Sequence, residues 1–377
     1  MKDRPKILFI SRAYPPILGG IENQNYGIAN ALAKITPTKI IANKGGKKRL
    51  PIFLPWILVR GLFVVPRFDV VLFGDGVLAP LGIFWKIFYP KKKYISIVHG
   101  LDITFAYKKS LLGKIYRTVN IPALQNSDKL IMVGNETIEQ AVKSGIPREK
   151  CVFIPNGVQM EEIRQTATWE DLEKVVGMDL AGKKVIFRGG RYVKHKGLEW
   201  FIRNVMPQLP AEYILIAAGG GVAKNTAGDE NDYPRCVNAV KELKLSERVK
   251  LFINMPRADM KVLFNACDLY ISPNIKVSGS MEGFGITAIE GAACGRMVMA
   301  SEMEGLKDAV KDGQNGFLVE PGNAEQWVKK IETIFEAGSE FEKTFGKKAR
   351  KFVEENYTWE KISRRYLEEI IRTAGTH

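Results

Sequence analysis

Hydrophobic and polar positions along this chain follow two regular modes. Short apolar runs bounded by charge or turn residues predict buried strands, and longer stretches with apolar residues every three or four positions predict helices. Strand runs fall at 6–10, 38–42, 70–73, 94–98, 129–133 and 152–154, with helices predicted over 23–34, 50–66 and 77–89 among them. The mode repeats further on, with strands at 184–188, 214–218, 249–252, 269–272, 297–301 and 316–319 separated by helical stretches. The last helix, over 359–373, carries Ile362, Tyr366, Leu367, Ile370 and Ile371, an apolar face that needs a partner to cover. Strand–helix alternation through the whole length predicts an α/β fold: two Rossmann-like, doubly wound parallel sheets joined near 160–182.

Residues 50–66 are the most apolar segment, interrupted by Pro51, Pro55, Arg60 and Gly61. The run is short for a membrane-spanning helix and reads as a helix partly in the core and partly open to lipid. Helix 77–89, with Trp85 and Phe88, is followed by Lys91-Lys92-Lys93. Apolar helix faces beside lysines suit an interfacial membrane contact, and they equally suit helices that cover a parallel sheet.

At 377 residues the chain exceeds what one core usually serves, which agrees with two domains. Four scattered cysteines without a Cys-x-x-Cys, and only His99, His195 and His377, argue against an ordinary zinc site and fit a reducing compartment. The start runs straight into a strand pattern with no secretory signal. Charge changes the picture more. Residues 1–165 hold 25 Lys/Arg against 11 Asp/Glu, a balance of +14, whereas 166–377 hold 31 against 30. The basic half should meet something anionic, such as a membrane surface, a phosphorylated acceptor or nucleic acid, unless the charge only solubilises it.

Ligands of open α/β sheets bind outside the carboxyl ends of strands. Gly19-Gly20, Asp75, His99, 189–196, 219–221 and Pro273 all fall at such ends, and two sheets facing each other would bring them to one cleft. The most informative stretch is Met281-Glu282-Gly283-Phe284-Gly285-Ile286-Thr287-Ala288-Ile289-Glu290. Its glycines precede a predicted helix start, where free N–H groups and the positive dipole end suit phosphate. A carboxylate on each side, Glu282 and Glu290, can accept hydrogen bonds from sugar hydroxyls. The ligand so described has phosphate in the middle and hydroxyl-rich ends, as a nucleotide sugar has. A second loop, Arg188-Gly189-Gly190-Arg191-Tyr192-Val193-Lys194-His195-Lys196-Gly197, would clamp the same diphosphate through Arg191 and Lys196. In glycosyl transfer that diphosphate leaves with growing negative charge, so preplaced cations favour the transition state. Lys194 is placed facing solvent. His99, followed by Gly100 and Asp102, reads either as a core histidine bonded to backbone or as a contact of the transferred sugar.

On these motifs the chain resembles a GT-B glycosyltransferase of family 4, the glycosyl transferases group 1. The likeness runs in order through Gly19-Gly20-x-Glu22, His99-Gly100-x-Asp102, Ile154-Pro155-Asn156-Gly157-Val158, Gly190-Arg191 to Lys196-Gly197, 219–221, and Glu282-Gly-Phe-Gly to Glu290. The resemblance implies a GT-B fold, two Rossmann-like domains facing across a cleft: an acceptor-side domain over 1–165, a donor domain over 166–355, and a C-terminal helix, 356–377, crossing back to the first. It implies retaining transfer from a nucleotide-diphosphate sugar, with no cofactor and no metal ion, the leaving diphosphate taking the acceptor proton. By the same resemblance His99 and Glu282 contact the donor sugar, Arg191 and Lys196 hold the diphosphate, and Glu290 holds the ribose. Gly190, Gly283, Phe284, Gly285 and Ile286 belong to the donor site, and Gly19, Gly20, Glu22 and Asp102 to the acceptor side. Two positions depart from the family pattern: Gln159 stands where Asp is usual, and 219–221 lacks the usual acidic residue.

The expected function is a hexosyltransferase using a UDP- or GDP-sugar and a glycolipid or polysaccharide acceptor. Its expected place is the cytoplasmic side of the membrane, as a peripheral protein. The rival readings are a GT-B epimerase or phosphorylase and a basic nucleic-acid-binding protein. For the last, no recognised motif is present, and aromatics are not interleaved with the basic loops.

Overall fold

The computed structural model describes residues 4–17, 19–163, 166–220 and 231–375. Two positions singled out above, Gly221 and His377, lie outside them. The chain forms two units: 1–157 with 357–377, and 158–356. The division falls between Gly157 and Val158 rather than near 165. The reason is local: the Ile163 carbonyl accepts a hydrogen bond from Asn265 Nδ2 at 2.9 Å and so ties 160–163 to the second unit.

The first unit runs β1 (Ile7–Ser11), α1 (Gly20–Ile35), β2 (Thr38–Ala42), α2 (Gly46–Val64), β3 (Val70–Phe73), α3 (Ala79–Phe88), β4 (Lys93–Val98), α4 (Gly100–Thr104), α5 (Leu111–Asn126), β5 (Lys129–Met132), α6 (Asn135–Lys143) and β6 (Cys151–Phe153). The second runs α7 (Met160–Ile163), α8 (Trp169–Val176), β7 (Lys184–Gly189), α9 (Leu198–Asn204), β8 (Tyr213–Gly219), α10 (Tyr233–Glu242), β9 (Val249–Ile253), α11 (Arg257–Ala266), β10 (Leu269–Ser272), α12 (Ile286–Ala293), β11 (Met297–Ser301), α13 (Leu306–Ala309), β12 (Phe317–Val319), α14 (Ala324–Glu336) and α15 (Gly338–Asn356). Helix α16 (Trp359–Ala374) then returns to the first unit.

Each unit holds a six-stranded parallel sheet, ordered β2-β1-β3-β4-β5-β6 and β12-β11-β10-β7-β8-β9. The apolar runs form these strands because both sheet faces are covered, so no alternation with polar residues is needed. In the first unit, α1 and α16 cover one face: Ile362, Tyr366 and Ile370 pack with Phe9, Ile28 and Leu32. Trp359 lies against Gly27, where an added Cβ would come within 2.1 Å of the indole. The apolar face of the last helix is thus covered by its own unit. On the other face, α2 and α3 pack through Ile57, Val64, Leu81 and Trp85. Helix α2 runs unbroken through Pro51 and Pro55. With the single turn that follows, it extends over Gly46–Arg67, 22 residues, long and apolar enough by length and composition to cross a membrane. The expectation of a segment too short to span is therefore corrected. The prolines remove backbone donors, but the buried stripe of α2 holds the helix together on the sheet.

Strand order reverses direction between β1 and β3 in the first sheet and between β7 and β10 in the second. Such switch points open a crevice at the carboxyl ends of the flanking strands. The residues that follow β1, β3, β7 and β10 occupy them.

Candidate active site

In the second unit, β7 delivers Arg188-Gly189 to the switch point. Arg188 is a buried cation that donates to the carbonyls of Gly190 and, at 2.8 Å, Arg191. Burial lowers its pKa, with Tyr270 and Tyr192 acting the other way. Its work is to pin the turn rather than to face a ligand. Gly190 adopts φ +125°. Its carbonyl oxygen lies where a Cβ on Gly219 would sit, only 1.9 Å away, so both positions need glycine. The chain then makes one tight turn through Lys194–Lys196 and reverses at Gly197, φ +67°.

That reversal aims Lys196 inward and leaves Lys194 exposed. Lys196 Nζ pairs with Glu282 Oε2, and Asn274 Nδ2 donates to the same oxygen at 3.1 Å. Burial opposes the Glu282 charge. The neighbouring Lys196 and His195 charges and the two hydrogen bonds outweigh it and hold the carboxyl down to about 2. Asn274 is buried, and its Oδ1 lacks a partner among the described residues. The His195 ring is buried too, with Nδ1 and Ser280 Oγ 2.7 Å apart, and its carbonyl accepts from Ile275 N–H at 2.9 Å. These bonds lock the basic loop to the segment after β10. Burial lowers the pKa of Lys196 against the pull of Glu282, and Arg188 and Arg191 lower it further, which places two other cations within electrostatic reach.

Beyond Glu282, Gly283-Phe284-Gly285 leads into α12. Phe284 is buried and Gly285 takes φ +92° against Leu306, where a Cβ would come within 2.6 Å. Residues Ile286 and onward then begin a helix whose first turn carries no acidic residue. Glu304, in a left-handed conformation with φ 45°, accepts the Glu282 N–H at 2.6 Å. Glu290 lies one turn into α12. Burial raises its carboxyl to about 7, Arg257 acting against the rise. None of the described hydrogen bonds or ion pairs joins Glu290 to the Lys196–Glu282 pair.

In the first unit, the switch point holds a second polar network. Arg12 Nε meets Asp75 Oδ2 at 3.0 Å, and Asp75 Oδ1 accepts from Val77 N–H. Asp75 raises the Arg12 pKa, partly offset by burial. His99, at the end of β4, is buried with Nε2 3.3 Å from the Gly74 carbonyl, which makes Nε2 the protonated nitrogen. The backbone-bonded alternative for His99 is thus present at that nitrogen. Asp102 Oδ2 accepts from His99 N–H at 2.9 Å and Gly76 N–H at 3.0 Å. The carboxylate of Asp102 therefore fastens two loops. Gly19 and Gly20 open α1, and Glu22 sits in its first turn, where its charge complements the helix dipole. No described hydrogen bond connects these three to His99 or Asp102.

Sequence reasoning missed Asn274, Glu304 and Arg12. Asn274 follows directly after a strand end that was marked, so its place was readable. Glu304 and Arg12 act on partners 22 and 63 residues away and carry no local signal.

Two family models match the chain: "Glycosyl transferases group 1" over residues 177–352 and "Glycosyltransferase Family 4" over 30–162. An uncharacterised glycosyltransferase of Methanocaldococcus jannaschii is 25% identical over 395 aligned residues, covering 95% of this chain and 96% of that protein. HepE of Anabaena, solved in complex with UDP, is 20% identical with a TM-score of 0.74, covering 97% of this chain and 100% of that one. Sucrose-phosphate synthase of Thermosynechococcus elongatus is 18% identical with a TM-score of 0.77, covering 99% and 100%. At such identities the structural likeness carries the fold, which is GT-B, and the family models carry the class. This chain belongs to the group 1, family 4 glycosyltransferases and is an enzyme of that class.

Proposed function

We propose that this enzyme moves a hexose-type sugar from a UDP- or GDP-linked donor to a glycolipid or polysaccharide acceptor. It does so with retention of anomeric configuration and without a metal, as a peripheral protein on the inner face of the cell membrane. The observation that carries the reading is the Lys196–Glu282 pair at the β7/β10 switch point, with Asn274 on the same carboxylate oxygen. It puts a cation suited to a diphosphate beside an ionised acceptor suited to sugar hydroxyls. HepE, with its bound UDP, supports a nucleotide donor.

The roles follow from that chemistry. Lys196 and Arg191 meet the charge that grows on the diphosphate as the bond from the sugar carbon to the phosphate oxygen breaks. The α12 N-terminus adds N–H groups to the same oxygens. Glu282 orients the sugar through its hydroxyls, and Glu290 takes the ribose hydroxyls. The acceptor oxygen bonds to the anomeric carbon on the face the diphosphate leaves, and its proton passes to the leaving diphosphate oxygen. No enzyme base enters this scheme. The membrane part rests on the +14 balance of residues 1–165 and on the apolar helices α2 and α3.

Donor binding and turnover in two variants test the assignment. Glu290→Ala should weaken binding of the donor nucleotide roughly tenfold or more, since the carboxylate that would accept the ribose hydroxyls is lost. Glu282→Ala should leave binding nearly intact and lower turnover by roughly 10²-fold. Wild-type rates and affinities in both would remove the site. Donor isomerised without any acceptor would move the enzyme to the epimerase reading.

A further inference from the structure

Helices α2, α3 and α5 cover one side of the first sheet, α2 and α3 in one core cluster and α5 in the next. A helix on a sheet is normally apolar inward and polar outward. Helix α2 is apolar on both sides. Its inward side is fixed: Ile57, Gly61 and Val64 are buried, Trp85 Nε1 donates to the Leu58 carbonyl at 2.9 Å, and Tyr89 Oη donates to the Leu62 carbonyl at 2.5 Å. A Cβ on Gly61 would come within 2.1 Å of the Trp85 ring. The helix is therefore held lying on the sheet and does not stand free to insert end-on.

Its outward side carries Ile52, Trp56, Val59 and Phe63, spaced four, three and four apart, at 75%, 47%, 58% and 69% exposure. An open groove of about 560 Å³ lies along this stripe, lined by Trp56, Val59, Phe63 and Val64 together with Arg60 and Arg67. Arg60 lies over the Trp56 ring, 5.3 Å from its centre. The pattern recurs on α5, where Leu111, Ile115 and Val119 are more than half exposed.

Charge decides the occupant. Between residues 44 and 67 there are six Lys or Arg and no Asp or Glu, and 103–127 likewise has Lys and Arg without an acidic residue. A second copy docked through the same face would set Arg60 and Arg67 against cations of its own kind. An anionic lipid surface meets both demands at once, acyl chains for the apolar stripe and phosphates for its cationic edges. We infer that the outward face of α2, continued by α5, is the surface by which this enzyme lies on an anionic bilayer, with Trp56, Val59 and Phe63 entering the acyl boundary and Arg60 and Arg67 binding lipid phosphates. The inference deepens the proposed peripheral-membrane function and rests on it.

The test is co-sedimentation of the full chain with vesicles of phosphatidylcholine alone and of phosphatidylcholine mixed with phosphatidylglycerol. Wild type should bind the mixed vesicles, bind the neutral ones at least about tenfold less, and release with added salt. The V59D/F63D double variant should lose binding to mixed vesicles by roughly tenfold or more, and R60Q/R67Q should lose most of the preference for the anionic ones. All four positions are on the outer side of α2 or just beyond it, and unchanged circular dichroism and thermal midpoint check that the variants fold. Wild type that ignores both vesicle types overturns the membrane reading as a whole. Wild type that binds mixed vesicles while V59D/F63D binds equally well overturns this surface alone. A lipid-free dimer that V59D/F63D converts to monomer would give the face to a second copy and overturn the proposal too.

Discussion

At the scale of single residues, two lysines two positions apart separate cleanly. Lys196 is turned inward against Glu282, and Lys194 faces solvent. Lys196→Ala should lower turnover by roughly 10²-fold, while Lys194→Ala stays within about twofold, because only the first cation can reach a diphosphate at the switch point. Steady-state rates decide it, and the reverse order would put the phosphate elsewhere. Glu290 makes a second residue-level prediction, on stability. Burial raises its carboxyl in the folded protein from 4.5 to about 7. A raised pKa means that the folded state holds this proton more tightly than the unfolded chain. Its contribution is fully present below about pH 4.5 and is lost as pH rises through 7. Without donor, Glu290→Gln should therefore gain on wild type by roughly 2 kcal/mol as the buffer moves from mildly acidic to mildly alkaline. Chemical denaturation across that range measures it, and a difference that does not vary with pH would show that Glu290 is solvated. Glu304 is the residue least visible beforehand. A glutamate at φ 45° pays about 1 kcal/mol of backbone strain, and here its carboxylate fixes the backbone of Glu282.

At the scale of elements, the strands were legible because parallel strands covered on both faces are plain apolar runs. The runs at 70–73, 269–272 and 297–301 coincide with β3, β10 and β11. Helix ends were readable to within a few residues, as at α16. What the pattern hid was long-range pairing. Arg188 ends a strand with a charge that ordinarily signals solvent, yet it is buried and spends its donors on two carbonyls of the following turn. Helix α2 was expected to begin at 50, after a run of lysines and arginine, whereas Lys47, Lys48 and Arg49 form its first turn, and packing on the sheet carries the helix on through both prolines. The connection from the basic loop to α9 shows how an element positions chemistry. Gly197 combines φ +67° with a missing Cβ that would otherwise lie 1.8 Å from the Pro273 carbonyl. Gly197→Ala must push the loop away from the segment that bears Asn274. It should lower the thermal midpoint and, in the fraction that folds, cut turnover more than donor affinity for the nucleotide alone. An alanine variant with unaltered stability and rate would mean that the loop and the segment after β10 are not held together as described.

At the scale of the whole molecule, the chain divides its properties between two units. Residues 158–356 are contiguous and nearly neutral in charge, and they hold the Lys196–Glu282 pair. The first unit carries the basic excess and depends on a distant piece of chain, since Ile362, Tyr366 and Ile370 of α16 complete its core beside Phe9 and Leu32. That return was foreshadowed by an amphipathic last helix with nothing nearby to cover. The charge division was plain in the sequence from counting alone. The identity of the sugar and of its acceptor was not, because neither leaves a mark in strand patterns or glycine spacing. The measurement that tests the central claim most directly is nucleotide release from UDP-, GDP- and ADP-sugars, with and without a membrane lipid extract. The account predicts release from one UDP- or GDP-linked donor, stimulated by lipid and suppressed in Lys196→Ala. Release that persists undiminished in that variant, or no release from any donor, would contradict it.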